Sequence, residues 1–195
     1  MKMARNSAAW ISVPIFLTAV LAAAGSWYMS GVALAGFVFM IFFHRDPDRL
    51  PQGNGMLSPA DGRVIQATND GITIFMGAAD VHVNRAPMNG VVKRIEYRKG
   101  SHLPAFLGQA TNNQQNRIWL DTVDGEVELR QITGTIVREI ICYVHPGDRV
   151  VRGERIGMIR FGSRVEMTLP KSYELIVHLG DKVRAGETVV AVRHP

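Results

Sequence analysis

From Ala8 to Phe43 the chain carries no charged residue: "AAWISVPIFLTAVLAAAGSWYMSGVALAGFVFMIFF". A helix that crosses a bilayer takes about 20 residues, so this run exceeds one ordinary span. Its middle, "GSWYMSG", collects Gly, Ser, Trp and Tyr, residue types suited to a turn at the membrane interface. Lys2 and Arg5 precede the run, and His44, Arg45 and Arg49 follow it. Basic residues at both ends favour a helical hairpin with both ends on the cytoplasmic side. One long tilted helix is an alternative. A cleaved signal peptide ending near "AAAG" at 22–25 is another, but "VALAGFVFMIFF" would still hold the protein at a membrane. The expectation is a transmembrane hairpin over 1–43, with residues 44–195 as a domain on the cytoplasmic face of the cell membrane.

After the polar linker "HRDPDRLPQGNG" the texture changes. "GRVIQA", "GITIFM", "GVVKRIEY", "RIWLDT", "VELRQI" and "TIVREIICYV" are β-branched runs bounded by Gly, Asn and Asp, and they read as strands. Only residues 101–116, "SHLPAFLGQATNNQQN", suggest a short helix. The segment "GDRVVRGERIGMIR" at 147–160 recurs as "GDKVRAGETVVAVR" at 180–193. Two copies exclude a solenoid. Paired hairpins related by a pseudo-twofold fit better, giving a mainly β, barrel-sandwich-hybrid domain of the biotinyl/lipoyl-like kind with one short helix.

The net charge of +5 favours anionic partners. The basic residues are scattered, and no stretch interleaves them with aromatics as a single-strand binder would, so nucleic acid is not expected. The single cysteine, Cys142, excludes an internal disulfide and a multi-thiolate zinc site. Of the six histidines, His44 and His194 are expected to be solvated, and His102, His145 and His178 structural or at the surface. His82, in "AADVHVNRAPMNG", lies in a polar, Pro-bounded segment after an apolar strand.

Between the two repeat copies lies "RFGSRVEMTLP", with the dipeptide Gly162–Ser163. A small-residue turn is the plain reading. The other is a bond the protein breaks. A serine hydroxyl can attack the carbonyl carbon of its preceding residue when a glycine there permits the strained backbone. Such a hydroxyl needs a base, and the base needs an orienting group. The ester so formed eliminates the upstream chain, and the serine is left as a pyruvoyl group, whose ketone can form a Schiff base with an amine.

In chain order, "FFHRDPDR", "SPADGRV", "DVHVNRAPMNG", "ERIGMIRFGSRVEMTLP" and "GDKVRAGETVVA" resemble the phosphatidylserine decarboxylase family, in its short, membrane-anchored form. No one of these motifs is specific; their order and spacing after an uncharged N-terminal run are. The resemblance implies a pyruvoyl-dependent decarboxylase that converts phosphatidylserine to phosphatidylethanolamine in phospholipid biosynthesis. It implies self-cleavage between Gly162 and Ser163 into a β chain of 1–162 and an α chain of 163–195, held as a heterodimer open to further dimerisation. Ser163 would supply the cofactor, His82 the base and Asp61 the orienting carboxylate. Arg164 and Arg85 are candidates for substrate binding, and no metal is implied. Longer members carry His-x-x-His-x-Pro; here Arg85 stands at the second histidine's place. Glu166 replaces an expected Asp.

Two other families share part of this pattern. A lysostaphin-like zinc endopeptidase shares the Gly-Asp-x-Val-x-x-Gly hairpin but needs a His-x-His pair, which this chain lacks. A biotinyl or lipoyl carrier needs a modifiable lysine at the tip between the halves, where "FGSRVEMTLPKSYE" has Ser163 early and Lys171 after a proline.

Overall fold

A computed structural model describes residues 2–101, 103–106, 112–135 and 139–194. They form two compact units, Met1–Asp48 and Arg49–Pro195. In the first, α1 (Ala8–Ala23) and α2 (Trp27–Phe43) are joined through a left-handed Gly25. The Ser30 hydroxyl on α2 donates to the Thr18 carbonyl on α1 at 3.0 Å, and Thr18 itself bonds back to Pro14, whose ring removes one helix donor. The helices contain 16 and 17 residues, or about 24 and 26 Å at 1.5 Å per residue. The expected hairpin is present, but its expected span is not: among the described residues no helix is long and apolar enough to cross a membrane. The turn is also shorter than expected, because Trp27–Gly31 is already helical.

Strands β1 (Lys2–Met3) and β2 (Arg45–Asp46) pair across the ends of the hairpin. This pairing carries the unit boundary past Phe43 to Asp48. His44, expected in solvent, is buried, with the Phe43 and Trp10 rings 5.3 and 6.3 Å away.

The second unit is mainly β. Its main sheet curls through eight strands in the order β11-β7-β8-β9-β13-β5-β4-β15. These are β4 (Gly62–Thr68), β5 (Gly71–Met76), β7 (Gly90–Arg98), β8 (Gln115–Thr122), β9 (Gly125–Thr133), β11 (Arg149–Val150), β13 (Ser163–Thr168) and β15 (Lys182–Val183). Two three-stranded sheets complete the unit. One orders β10 (Ile140–Cys142), β12 (Arg155–Ile159) and β6 (Val83–Arg85); the other orders β14 (Tyr173–Leu175), β16 (Val189–Arg193) and β3 (Met56–Leu57). Of the helix expected over 101–116, residues 102 and 107–111 lie outside the described residues; 103–106 form no helix, and Gln115 and Asn116 open β8 instead.

The sequence repeat becomes a pseudo-twofold relation between hydrogen bonds. His145 N donates to the Asp148 carboxylate and His178 N to that of Asp181, each at 2.8 Å. Gly147 N donates to Val92 O, and Gly180 N to Val64 O. Asn89 Oδ1 accepts from Arg152 N, and Asp61 Oδ1 from Ala185 N, again both at 2.8 Å. "SPADG" and "APMNG" are therefore equivalent turns, each receiving one copy of the repeat. The linker is tied down as well: Arg152 donates to the Gly53 and Gly55 carbonyls, and Gln52 N to Glu187 O.

Alternation along the main sheet sends Ile72, Ile74, Ile118, Leu120, Val127, Leu129, Val165 and Met167 to one buried face. Burial of that apolar face is the main force holding the curled sheet together. Toward one end the same inward positions turn polar. Asn116, Gln131, Thr133 and Ser163 lie there, all buried.

Candidate active site at the Gly162–Ser163 junction

Ser163 opens β13 and is paired on both flanks, with Met76 of β5 and Thr133 of β9. It is 0% exposed, and its hydroxyl has no hydrogen-bond partner among the described residues. A buried hydroxyl left unbonded costs about 1–3 kcal/mol, so it is more than filler in a turn. The two residues before it both have positive φ, Phe161 at 58° and Gly162 at 58°. Glycine adopts that conformation freely, whereas for phenylalanine it costs about 1–2 kcal/mol. The strain therefore sits at Phe161, one residue further back than the sequence suggested.

Gly134 supplies the room beside this junction. A Cβ there would lie 1.8 Å from the Gly162 carbonyl oxygen and 2.8 Å from its carbon. That carbon is the atom a Ser163 hydroxyl would attack, so only glycine lets β9 end against it.

His82 precedes β6 and is 0% exposed. Its main-chain oxygen accepts from Ile159 N at 3.2 Å, which fixes it against the strand that leads to residue 163. Its Nδ1 lies 3.0 Å from the Asp80 carbonyl. A carbonyl only accepts, so Nδ1 carries the proton in this contact and Nε2 carries the lone pair a base requires. Asp61 approaches the His82 segment through the backbone of Val81. Its carboxylate takes a bidentate grip from Arg49, accepts from Ala185 N at 2.8 Å, and reaches Val81 N at 3.4 Å, next to His82. At the equivalent turn neutral Asn89 suffices for the backbone bond. The charge of Asp61 thus serves Arg49 and the His82 segment.

The arginine candidates separate from Ser163. Neighbours on a strand face opposite ways, so Arg164 lies on the outer face of the sheet. There it pairs with Glu166 at 2.7 Å and its Nη1 lies 3.5 Å from the Ala105 carbonyl. It ends a charge ladder running through Arg130, Glu128 and Arg117. In that ladder burial pushes the Glu128 carboxyl up, but bonds and charge from Arg117 and Arg130 outweigh it and hold the carboxyl below its usual range. Arg85 alternates away from His82 along β6. It is buried against Gly186 and donates to the Gly153 carbonyl at 3.1 Å, so it braces the two repeat turns. Both arginines, expected to bind substrate, are buried in protein contacts on the faces opposite Ser163 and His82. The cause is strand alternation, a direction that spacing alone does not give. Outside this cluster His145 and His178 are exposed, and His102 lies outside the described residues.

Several residues at this end were not singled out from sequence. Arg49 read as a flank of the apolar run. Asn84, Gln131 and Asn116 form a buried amide chain: Asn116 Nδ2 donates to Gln131 Oε1 at 2.9 Å, and Gln131 Nε2 to Asn84 Oδ1 at 2.8 Å. Gly157 makes room for it, since a Cβ there would lie 2.7 Å from Gln131 Nε2. A legible signal existed in "VELRQIT", where the inward positions run Val127, Leu129, Gln131, Thr133 and change from apolar to polar.

The class of protein follows from comparison with known sequences: the chain is a decarboxylase. The phosphatidylserine decarboxylase family matches residues 37–191. Similar curated proteins include a "Phosphatidylserine decarboxylase proenzyme" of Thermobifida fusca, 45% identical over 96% of this chain and 91% of that protein. A "Putative archaetidylserine decarboxylase proenzyme" of Methanococcoides burtonii is 40% identical over 97% and 95%, and one of Halobacterium salinarum 44% over 89% of each. The chain belongs to the phosphatidylserine decarboxylase family.

Proposed function

We propose that this chain is a self-processing proenzyme whose Gly162–Ser163 bond becomes the source of a pyruvoyl group, and that the product decarboxylates phosphatidylserine. The observation that carries the reading is the junction itself. A fully buried serine, its hydroxyl unbonded among the described residues, follows two left-handed residues, and Gly134 clears the carbonyl before it. These residues fit the group: the serine is the atom source, and the backbone ahead of it is strained in the sense that favours breaking.

In the processing step the Ser163 hydroxyl attacks the Gly162 carbonyl carbon while His82 Nε2 takes its proton. The peptide nitrogen leaves as the Ser163 amine, giving an ester. Loss of the Ser163 Cα proton then expels the Gly162 carboxylate. The dehydrated residue tautomerises to an imine, and water replaces its nitrogen as ammonia. The result is a β chain of 1–162 and an α chain of 163–195, held together by the sheet, since β13 stays paired with β5 and β9. Once made, the pyruvoyl ketone supplies a site for the substrate amine and a sink for the electron pair released with CO2.

The names of the relatives differ in the lipid body but share the serine headgroup, which is the part a group at position 163 would meet. The hairpin would hold the domain at the lipid surface, on the cytoplasmic face of the cell membrane. Its outward side chains include Phe16, Trp27, Tyr28 and Val38, all exposed and all suited to the interface.

Denaturing mass spectrometry of the purified chain is the test. Two chains split after Gly162, the smaller without an amino terminus, are expected, with CO2 released from carboxyl-labelled phosphatidylserine in detergent. Ser163→Ala should stay as one chain. A wild-type chain that remains intact, with an ordinary serine at 163, removes the reading. If His82→Ala cleaves as fast as wild type, His82 is not the base.

A further inference from the structure

Asn84 is 1% exposed, on β6, two residues after His82 and on the same face of that extended segment. Its side-chain orientation is dictated from behind. Asn116 fixes Gln131, and Gln131 Nε2 occupies Asn84 Oδ1. The Asn84 Nδ2 group must therefore point the other way, where its partner is the Met76 thioether at 3.7 Å. A thioether is a weak acceptor, and a buried amide donor committed to one forgoes most of a hydrogen bond. Three aligned buried amides are a costly arrangement to maintain for that contact alone. Met76 is the residue directly opposite Ser163 in the ladder. Thus a fixed, underused donor and a serine hydroxyl with no partner among the described residues flank the same methionine.

We propose that Asn84 is the hydrogen-bond donor for the carbonyl group made from Ser163, with Gln131 and Asn116 as positioning residues that aim it. The inference rests on the self-processing reading. In the unbroken chain the donor rests on sulfur; in the processed chain it polarises a ketone oxygen and makes the adjoining carbon a better electrophile. Arg85 cannot take this part, because it faces away from His82 and is bound to Gly153. The recognised chemistry is a neutral carbonyl, which an uncharged amide suits better than a cation.

The test reads carbonyl reactivity rather than turnover. Full-length wild type, Asn84→Ala and Gln131→Met are purified, and the cleaved fraction is measured by denaturing mass spectrometry. Each is then treated with hydroxylamine, which condenses with a ketone to give an oxime and water, and the mass shift of the smaller chain is followed with time. The expected result is that Asn84→Ala still yields the shorter chain but forms the oxime about 10-fold to 100-fold more slowly. Gln131→Met should show a smaller drop in the same sense. Melting curves of both substitutions in a Ser163→Ala background check that the fold persists. Equal oxime rates in cleaved Asn84→Ala and wild type overturn the role of Asn84 alone. A folded Asn84→Ala chain that never cleaves also overturns it, by moving Asn84 to the processing step. A wild type that never cleaves overturns the self-processing reading itself.

Discussion

Replacing Gly134 by alanine isolates the geometry of the junction from its chemistry. The added Cβ would fall 1.8 Å from the Gly162 oxygen, about 1.2 Å inside the closest approach that a Cβ tolerates. Both threatened atoms are backbone, so no side chain can swing aside. Ser163 is held on two flanks by Met76 and Thr133 and cannot follow if the Gly162 peptide retreats. The carbonyl carbon and the attacking hydroxyl therefore separate by roughly the 1 Å scale on which misplacement costs on the order of 100-fold. That corresponds to about 2.7 kcal/mol on the barrier. The assay is the time course of conversion to two chains after synthesis in a cell-free system, read by denaturing mass spectrometry. The half-time should lengthen about 100-fold. In a Ser163→Ala background the same change should cost only the about 1–3 kcal/mol typical of overpacking. Gly36→Ala, with nothing within 4 Å of its added carbon, is the control and should process normally. A Gly134→Ala chain that keeps its fold and cleaves within about 3-fold of the wild-type rate would refute the reasoning, since the rate would then not depend on this approach.

Gly162→Ala should be milder than Gly134→Ala. Its φ of 58° strains an alanine by about 1 kcal/mol, but among the described residues no atom lies within 4 Å of the new carbon, so cleavage should slow by less than about 10-fold. Asp61→Asn keeps an acceptor for Ala185 N but removes the carboxylate that grips buried Arg49, leaving it Glu187 at 4.0 Å from Nε, a loss of about 3 kcal/mol measurable by urea unfolding. Adding Arg49→Met should recover much of that loss, and a strictly additive double variant would show that the pair is not coupled. Tyr173, whose hydroxyl donates to Asp124 at 3.0 Å, has its pKa raised by burial and by that bond. The stability it adds is fully present below its ordinary value near 10 and is lost as pH rises through the folded-state value. The gap between wild type and Tyr173→Phe, about 1 kcal/mol at neutral pH, should therefore shrink above about pH 10. A gap that stays constant across that range would count against it.

Much of this molecule was legible because its signals are local. "GITIFM" and "GVVKRIEY" start at Gly71 and Gly90, where the strands start, since β-branched runs between glycines have few other ways to bury one face. The repeated Gly-Asp turns fold alike because the same short-range bonds, His145 N to Asp148 and His178 N to Asp181, form in both copies. The hairpin was legible as helices but not in its length. Where the turn falls decides how a run is divided, and Trp27 entered α2 rather than the loop. His44 was misjudged because its burial depends on Trp10, far away in the chain.

At the site, sequence alone determined the residue types: a serine behind a glycine, one histidine in a polar segment, and a carboxylate in a tight turn. It could also have revealed the polar inward positions of β9, since period-2 alternation is written in the chain itself. Only the tertiary structure decided direction and company. Arg164, next to Ser163 in sequence, lies on the other side of the sheet. Arg85 looks away from His82, whereas Asn84 shares its face. Gly134 and Arg49 matter through partners many residues away, the Gly162 carbonyl and the Asp61 carboxylate. Spacing along a strand fixes which residues can share a face, but which strand lies opposite, and what it leaves without a hydrogen bond, arises only when the sheet closes.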